Sequence, residues 1–164
     1  MKKAIVIGCP GSGKSVFSRA LAEATGLPLY HLDMMYWNAD STKAEREIFL
    51  RRLAEAMAGD EWIIDGNYSS TMEMRLAAAD TVFFLDYPTE VCLRGIEDRR
   101  GKARSDMPWV ETAEDPEFTE FIRTYREEQK PRVLALIAAH PEKDAVVFSS
   151  REESEDYLEK AKQK

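Results

Sequence analysis

A chain of 164 residues with 44% hydrophobic content is long enough for one domain with a sizeable core. Its formal net charge of −7, from 23 basic and 30 acidic residues, is a poor match to nucleic acid. No apolar run reaches the length of a membrane span, and the N-terminus enters a strand with no room for a leader, so a cytoplasmic location away from membranes is expected.

The first predicted strand, Lys3–Ile7, is apolar and β-branched, as a buried parallel strand requires. Gly8-Cys9-Pro10-Gly11-Ser12-Gly13-Lys14-Ser15 follows and fits the phosphate-loop pattern G-x-x-x-x-G-K-[ST] at every fixed position. Val16–Ala24 then reads as a helix with an apolar face at Phe17, Ala20, Leu21 and Ala24. The glycines let backbone N–H groups turn inward around phosphate oxygens, and the helix adds its positive dipole end. In such a loop Lys14 bridges the β- and γ-phosphates of ATP, and the Ser15 hydroxyl ligates Mg²⁺. Cys9 lies in this loop and Cys92 in a predicted helix, which argues against a structural disulfide and for a reducing compartment.

Gly26-Leu27-Pro28 stops the first helix. Leu29–Leu32 reads as a second strand ending at Asp33, at the carboxyl end where ligands bind in open α/β sheets. Asp33 is therefore a candidate for orienting or deprotonating an acceptor hydroxyl, or for the Mg²⁺ shell. A helix cap or turn residue is the plainer reading. His31, mid-strand, is read as packing. Met34–Asn38 has no clean period, and Trp37 in it suits the wall of a pocket for a flat group. Thr42 and Glu45 form a capping-box pattern at the head of a helix to about Ala58.

Trp62-Ile63-Ile64-Asp65 is the third strand, an apolar run closed by an acid in the manner of a metal-holding carboxylate. Gly66, Asn67 and Tyr68 extend into the expected acceptor site. Arg75, on a helix from about Ser70 to Ala79, is a candidate to clamp a phosphate or carboxylate of the acceptor, with a solvated surface arginine as the plainer reading. Thr81–Asp86 is the fourth strand. The next helix ends in Arg99-Arg100-Gly101-Lys102-Ala103-Arg104, the densest positive cluster of the chain. Arg99 and Arg104 are read as lid arginines that neutralise transferring phosphate, with a lid over about 99–117. Ser105–Pro116 should be a mobile loop. An amphipathic helix follows through Phe118, Phe121, Ile122 and Tyr125, with Arg126 able to turn toward the nucleotide. Pro131 should kink or restart it, with Val133, Leu134 and Ile137 continuing, Ala145–Phe148 is the last strand, and Glu152–Lys162 a final helix. Five strands alternating with helices give a parallel sheet with right-handed crossovers.

The loop, Asp65-Gly66, Leu85-Asp86-Tyr87-Pro88 and Arg99-Arg100 together resemble the small nucleoside and nucleotide kinases of the adenylate-kinase type. A closer resemblance is to the bacterial DNA topology modulation proteins of the FlaR-like type. It is carried by His31-Leu32-Asp33, Tyr36-Trp37, Trp62-Ile63-Ile64-Asp65-Gly66-Asn67-Tyr68, Arg75-Leu76, Ala79-Asp80-Thr81 and Arg104-Ser105-Asp106-Met107. It implies a three-layer α/β P-loop fold with strand order 2-3-1-4-5 and a short lid. The sequence departs from that family at Thr89, where an arginine is frequent, and at Asn38-Ala39-Asp40, where Pro-Gly-Trp is frequent.

The expected protein is a single domain over 1–164 that transfers the γ-phosphoryl group of ATP, with Mg²⁺, to a small acceptor. Lys14, Asp33, Arg99 and Arg126 are its catalytic candidates, and Ser15 and Asp65 its metal candidates. Gly8–Ser15, Arg99 and Arg104 would hold the nucleotide, and Asp33, Trp37, Asp65–Tyr68 and Arg75 the acceptor. A monomer or weak homodimer without direct nucleic-acid binding is expected. Two alternatives stand beside it: a nucleotide-dependent regulatory ATPase linked to DNA topology, and a small-metabolite kinase of the shikimate or gluconate type.

Overall fold

In the computed structural model, which describes residues 1–163, the five apolar runs become five strands of one sheet. Lys164, the last residue of the expected domain span, lies outside the described residues. The elements in chain order are β1 (Lys3–Gly8), α1 (Lys14–Thr25), β2 (Leu29–His31), α2 (Leu32–Tyr36), α3 (Arg46–Met57), β3 (Trp62–Asp65), α4 (Ser69–Ala78), β4 (Thr81–Leu85), α5 (Thr89–Arg99), α6 (Pro116–Glu128), α7 (Lys130–Ala138), β5 (Asp144–Phe148) and α8 (Arg151–Lys162). The strands lie in the order β2-β3-β1-β4-β5, all parallel, as expected.

Burial explains the order. The three inner strands are covered on both faces, and β3 and β4 have no exposed residue. Their sequences accordingly run apolar without alternation. β5 is largely exposed along its length, as suits an edge strand. Phe17 of α1 stands 5.2 Å from the Phe83 ring and 5.4 Å from the Phe148 ring, which ties the first helix to β4 and β5. Each side chain buried this completely contributes about 1.5–3 kcal/mol. The register places Val6 beside Asp65 and Gly8 beside Leu85, so β1, β3 and β4 end close together under one rim.

Two local expectations are corrected, and the expected restart near Pro131 is located. Residues 32–36 form a short helix, α2, directly after β2; Leu32 and Met35 turn into the core and leave Asp33 at its first turn. The capping box does not form: α3 begins at Arg46 behind Glu45, while the Thr42 hydroxyl donates to Asp40 Oδ1 at 2.5 Å within a tight loop. The break near Pro131 falls at Gln129, because proline occupies the first turn of the new helix α7.

Candidate active site

The loop 8–15 joins β1 to α1 as its sequence requires. Gly11 (φ 83°) and Gly13 (φ 91°) hold left-handed backbone that a side chain would strain, and Gly13 sits at the N-terminus of α1. The Gly8 N–H donates to Asn67 Oδ1 at 3.2 Å, so the end of β3 braces the loop's entry. Lys14 Nζ folds back over the loop and donates to the carbonyls of Gly8 (3.0 Å) and Cys9 (3.3 Å). Burial lowers the Lys14 pKa, against the charges of Asp65 and Asp33. Beneath the loop runs α5, packed backbone to backbone: a Cβ on Gly95 would lie 2.1 Å from the Gly11 carbonyl oxygen. Sequence reasoning passed over Gly95. The available signal was a glycine inside a helical pattern, a costly placement that usually has a packing reason.

The segment between α5 and α6 lies over the loop and meets it through a residue given no role above. Asp106, buried, accepts the Ser15 hydroxyl hydrogen at 2.7 Å. Burial opposes its ionisation, but the Ser15 hydrogen bond and the Arg104 charge outweigh that, and its pKa falls below the usual aspartate value. Arg104 Nη1 is 3.3 Å from Asp106 Oδ2, and Arg19 Nη1 donates to Ser105 Oγ at 3.2 Å. This stretch is thus pinned to α1, where a mobile loop was expected. Its one sequence signal was the Arg104-Ser105-Asp106-Met107 run.

The expected lid arginines are brought to the site in unequal measure. Arg99 reaches it at the end of α5 and is held by Glu111 through Nε–Oε2 (3.0 Å) and Nη2–Oε1 (3.3 Å). Burial, and then the nearby Arg104 charge, lower its pKa. Arg104 shares Glu111 at 3.6 Å. Arg126 lies elsewhere: on α6 it faces Asp86 at 3.8 Å, beside Lys130, whose Nζ is 2.5 Å from the same carboxylate. This ion cluster fixes α6 and α7 against the end of β4.

A cavity of about 690 Å³ opens beside Lys14. Pro10, Asp33, Trp37, Gly66, Asn67, Tyr68 and Arg99 line it, together with Tyr36, Met107, Trp109 and Phe118. Asp33 Oδ1 accepts the Tyr68 hydroxyl hydrogen at 2.5 Å. Burial raises the Asp33 pKa above the ordinary aspartate value, with the Tyr68 bond and Lys14 pulling the other way. An aspartate so placed is suited to take a proton from a bound hydroxyl.

Two of the expected residues stand behind the cavity wall. Asp65 is buried at the end of β3, and its Oδ2 is held by His31 Nδ1 at 2.8 Å. Burial works against His31 protonation, but the hydrogen bond and charge of Asp65 prevail and raise its pKa. His31 is therefore more than a packing residue. Arg75 is completely buried and cannot serve as the acceptor clamp. Its guanidinium donates to the carbonyls of Gly66 (3.0 Å) and Asn67, to Tyr68 O (3.4 Å) and to Thr71 Oγ1 (3.2 Å). Burial brings its pKa down to about 10. Arg75 builds the turn that presents Asn67 and Tyr68.

No family model and no curated protein sequence matches the chain. Solved structures do. Shikimate kinase from Bacteroides thetaiotaomicron is similar with a TM-score of 0.64 at 18% identity, over 99% of this chain and 96% of that one. Shikimate kinase from Acinetobacter baumannii, in complex with shikimate, gives 0.66 at 16% identity over 99% and 92%. A gluconokinase from Sinorhizobium meliloti 1021 gives 0.58 at 18% identity over 99% and 90%. The chain therefore has the fold of the small P-loop kinases, along nearly its whole length.

Proposed function

We propose that this protein is an ATP-dependent phosphotransferase acting on the hydroxyl group of a small acceptor. One juxtaposition carries the reading: a phosphate loop with its lysine, Lys14, lines the same cavity as a half-buried aspartate of raised pKa, Asp33. The loop N–H groups and the N-terminus of α1 would cradle the β-phosphate. Lys14, drawn off the Gly8 and Cys9 carbonyls, would follow the γ-phosphate. Arg99 lines the cavity from the end of α5 and would neutralise charge as the phosphoryl group moves. Asp33 would orient the acceptor hydroxyl and take its proton. Most of the rate would come from positioning and charge neutralisation, since the transferring group passes through a loose transition state.

The residues around Ser15 fit Mg²⁺ bound together with a nucleotide. Among the described residues no three His, Cys, Asp or Glu side chains are grouped to hold a metal on their own. A hydroxyl with one carboxylate is instead the sparse protein donor set that Mg²⁺ takes when phosphate and water complete its octahedron. Ser15 would be the direct ligand, and Asp106 and Asp65 would hold its water shell. When bound, the ion neutralises charge across the β- and γ-phosphates.

The fold neighbours named as shikimate and gluconate kinases support a small-metabolite acceptor over a macromolecular one, as does the net charge of −7. The test is ADP release from Mg-ATP by the purified chain with and without candidate acceptors, beside Lys14→Ala. Acceptor-dependent release that Lys14→Ala abolishes, with the variant's thermal unfolding unchanged, is expected. Tight ATP binding that no acceptor converts to turnover would favour the regulatory ATPase instead.

A further inference from the structure

We infer that Tyr68 is a positioning residue for the proton transfer: its hydroxyl holds one oxygen of the Asp33 carboxylate and leaves the other to the acceptor hydroxyl. The inference rests on the phosphotransfer reading, in which Asp33 takes the acceptor's proton. It gives Tyr68 work other than binding the acceptor. Three observations carry it.

The first is the backbone. Tyr68 stands at φ 37° and ψ 72°, in the left-handed region that a side chain rarely occupies. Among the described residues the only other non-glycine residue with positive φ is Ser41, in the loop before α3. Such a conformation persists where its surroundings hold it, and it gathers at functional sites. Here the Tyr68 carbonyl accepts from the Thr71 N–H (2.9 Å), from Thr71 Oγ1 (3.1 Å) and from Arg75 Nη2 (3.4 Å). Arg75 also grips the two preceding residues through the Gly66 carbonyl (3.0 Å) and the Asn67 carbonyl. The turn is pressed against the head of α2, for a Cβ on Gly66 would lie 2.9 Å from Leu32 Cβ. Leu32 directly precedes Asp33, so the strained turn is set at a fixed distance from the aspartate.

The second is the ring. It lies 4.7 Å from Tyr36 and 5.5 Å from Phe49, centroid to centroid, and these neighbours fix its direction. The hydroxyl at its tip donates to Asp33 Oδ1 at 2.5 Å, across 35 residues of chain. Burial, and then the Asp33 charge, raise the Tyr68 pKa above the ordinary tyrosine value. The phenol therefore keeps its proton and acts on the carboxylate only as a donor.

The third is the oxygen left over. Among the described residues no hydrogen bond reaches Asp33 Oδ2, and Asp33 and Tyr68 line the same cavity beside Lys14. The charged groups that face Asp33 are Lys14 of α1, Asp65 of β3, Asp106 of the segment after α5, and Arg99 at the end of α5. Burial and the two aspartate charges favour the neutral form of Asp33, and the Tyr68 bond and the Lys14 charge favour its carboxylate. Of these groups only Tyr68 is hydrogen-bonded to it, so Tyr68 sets the orientation of the carboxylate. In the reaction the acceptor hydroxyl oxygen bonds to the γ-phosphorus of ATP. The bond from that phosphorus to the β-bridging oxygen breaks, and its electron pair leaves on ADP. The hydroxyl proton passes to Asp33 Oδ2.

The experiment compares the full wild-type chain with Tyr68→Phe, which keeps the ring and its packing and deletes only the hydroxyl. Aspartate is labelled with ¹³C at Cγ, the Asp33 signal is identified by its absence from Asp33→Asn, and it is followed against pH. In Tyr68→Phe the Asp33 midpoint should move to higher pH, because the bond that favours the carboxylate is gone. This titration needs no acceptor. ADP release from Mg-ATP is then measured with adenosine, shikimate or gluconate, whichever drives the wild-type chain. Tyr68→Phe should lower kcat about tenfold or more at neutral pH, displace the acid limb of kcat/KM to higher pH, and change the acceptor KM by less than about twofold. An unmoved Asp33 midpoint overturns the inference and leaves phosphotransfer standing. A raised acceptor KM with kcat and the acid limb unchanged also overturns it, and makes Tyr68 an acceptor contact. Turnover that Lys14→Ala retains at the wild-type rate is a different failure: the phosphotransfer reading falls, and the inference with it.

Discussion

Gly95→Ala is the sharpest test of how α5 shapes the phosphate loop, because the two possible outcomes differ in sign. In an open helix the change would stabilise, since alanine is favoured over glycine by about 1 kcal/mol in a helix interior. Here the new Cβ would stand 2.1 Å from the Gly11 carbonyl oxygen, where real Cβ atoms essentially never come closer than 3.0 Å. The 0.9 Å between those values must come from moving backbone, either α5 or the loop itself. Overpacking of this kind costs about 1–3 kcal/mol, which exceeds or cancels the helix gain. We expect a net loss of about 1 kcal/mol, read as a fall in Tm of about 2–4 °C for a chain of this size. The larger effect should be functional. A displacement near 1 Å in groups that position a reacting phosphate costs about a hundredfold in rate. Calorimetric ATP titration and acceptor-dependent turnover would be measured beside thermal unfolding. A rise in Tm with unchanged ATP affinity would refute the packing argument.

Other expectations follow from the same geometry. Asp106→Asn keeps the shape but loses the charge that meets Ser15, and the Mg²⁺ concentration giving half-maximal turnover should rise about ten- to a hundredfold, measured by Mg²⁺ titration at fixed ATP. Arg75→Met should leave the carbonyls of Gly66, Asn67 and Tyr68 without a donor and cost about 3–5 kcal/mol in chemical denaturation, whereas an acceptor clamp would raise KM and spare stability. The raised Asp33 pKa predicts an acid limb of kcat/KM above the ordinary aspartate range, lost together with activity in Asp33→Asn. The sign for stability is opposite. A carboxyl whose folded pKa exceeds its unfolded value of 3.8 binds protons more tightly when folded, so it detracts from stability as pH rises through that window. Asp33→Asn should therefore melt higher than wild type at pH 7, with the difference shrinking toward pH 4.

What was legible in the sequence is what local chemistry dictates. A fixed-spacing loop between a β-branched strand and a helix allows one geometry, so Gly8–Ser15 was readable outright. The buried strands were readable because parallel strands covered on both faces lose their alternation. Side-chain destinations were not, because they depend on what the chain brings from far away. Arg75 looks like any helix-surface arginine until three carbonyls of the preceding turn converge on it. Arg126 has the spacing of a swinging arginine, but Asp86, forty residues earlier in the chain, takes it. Asp106 lies 91 residues from Ser15 and meets it only because the segment after α5 folds back over α1. Thr42 failed as a cap because its hydroxyl is held inside the loop, accepting from Asn38 Nδ2 at 3.0 Å while donating to Asp40 Oδ1.

The central claim is phosphoryl transfer, and ³¹P NMR reads it without a coupled assay. The full chain would be incubated with Mg-ATP and a mixture of nucleosides and small hydroxy compounds. Phosphotransfer predicts a new phosphomonoester resonance that grows in step with ADP and is absent with Lys14→Ala. A spectrum in which ATP persists, or yields only inorganic phosphate, would contradict it.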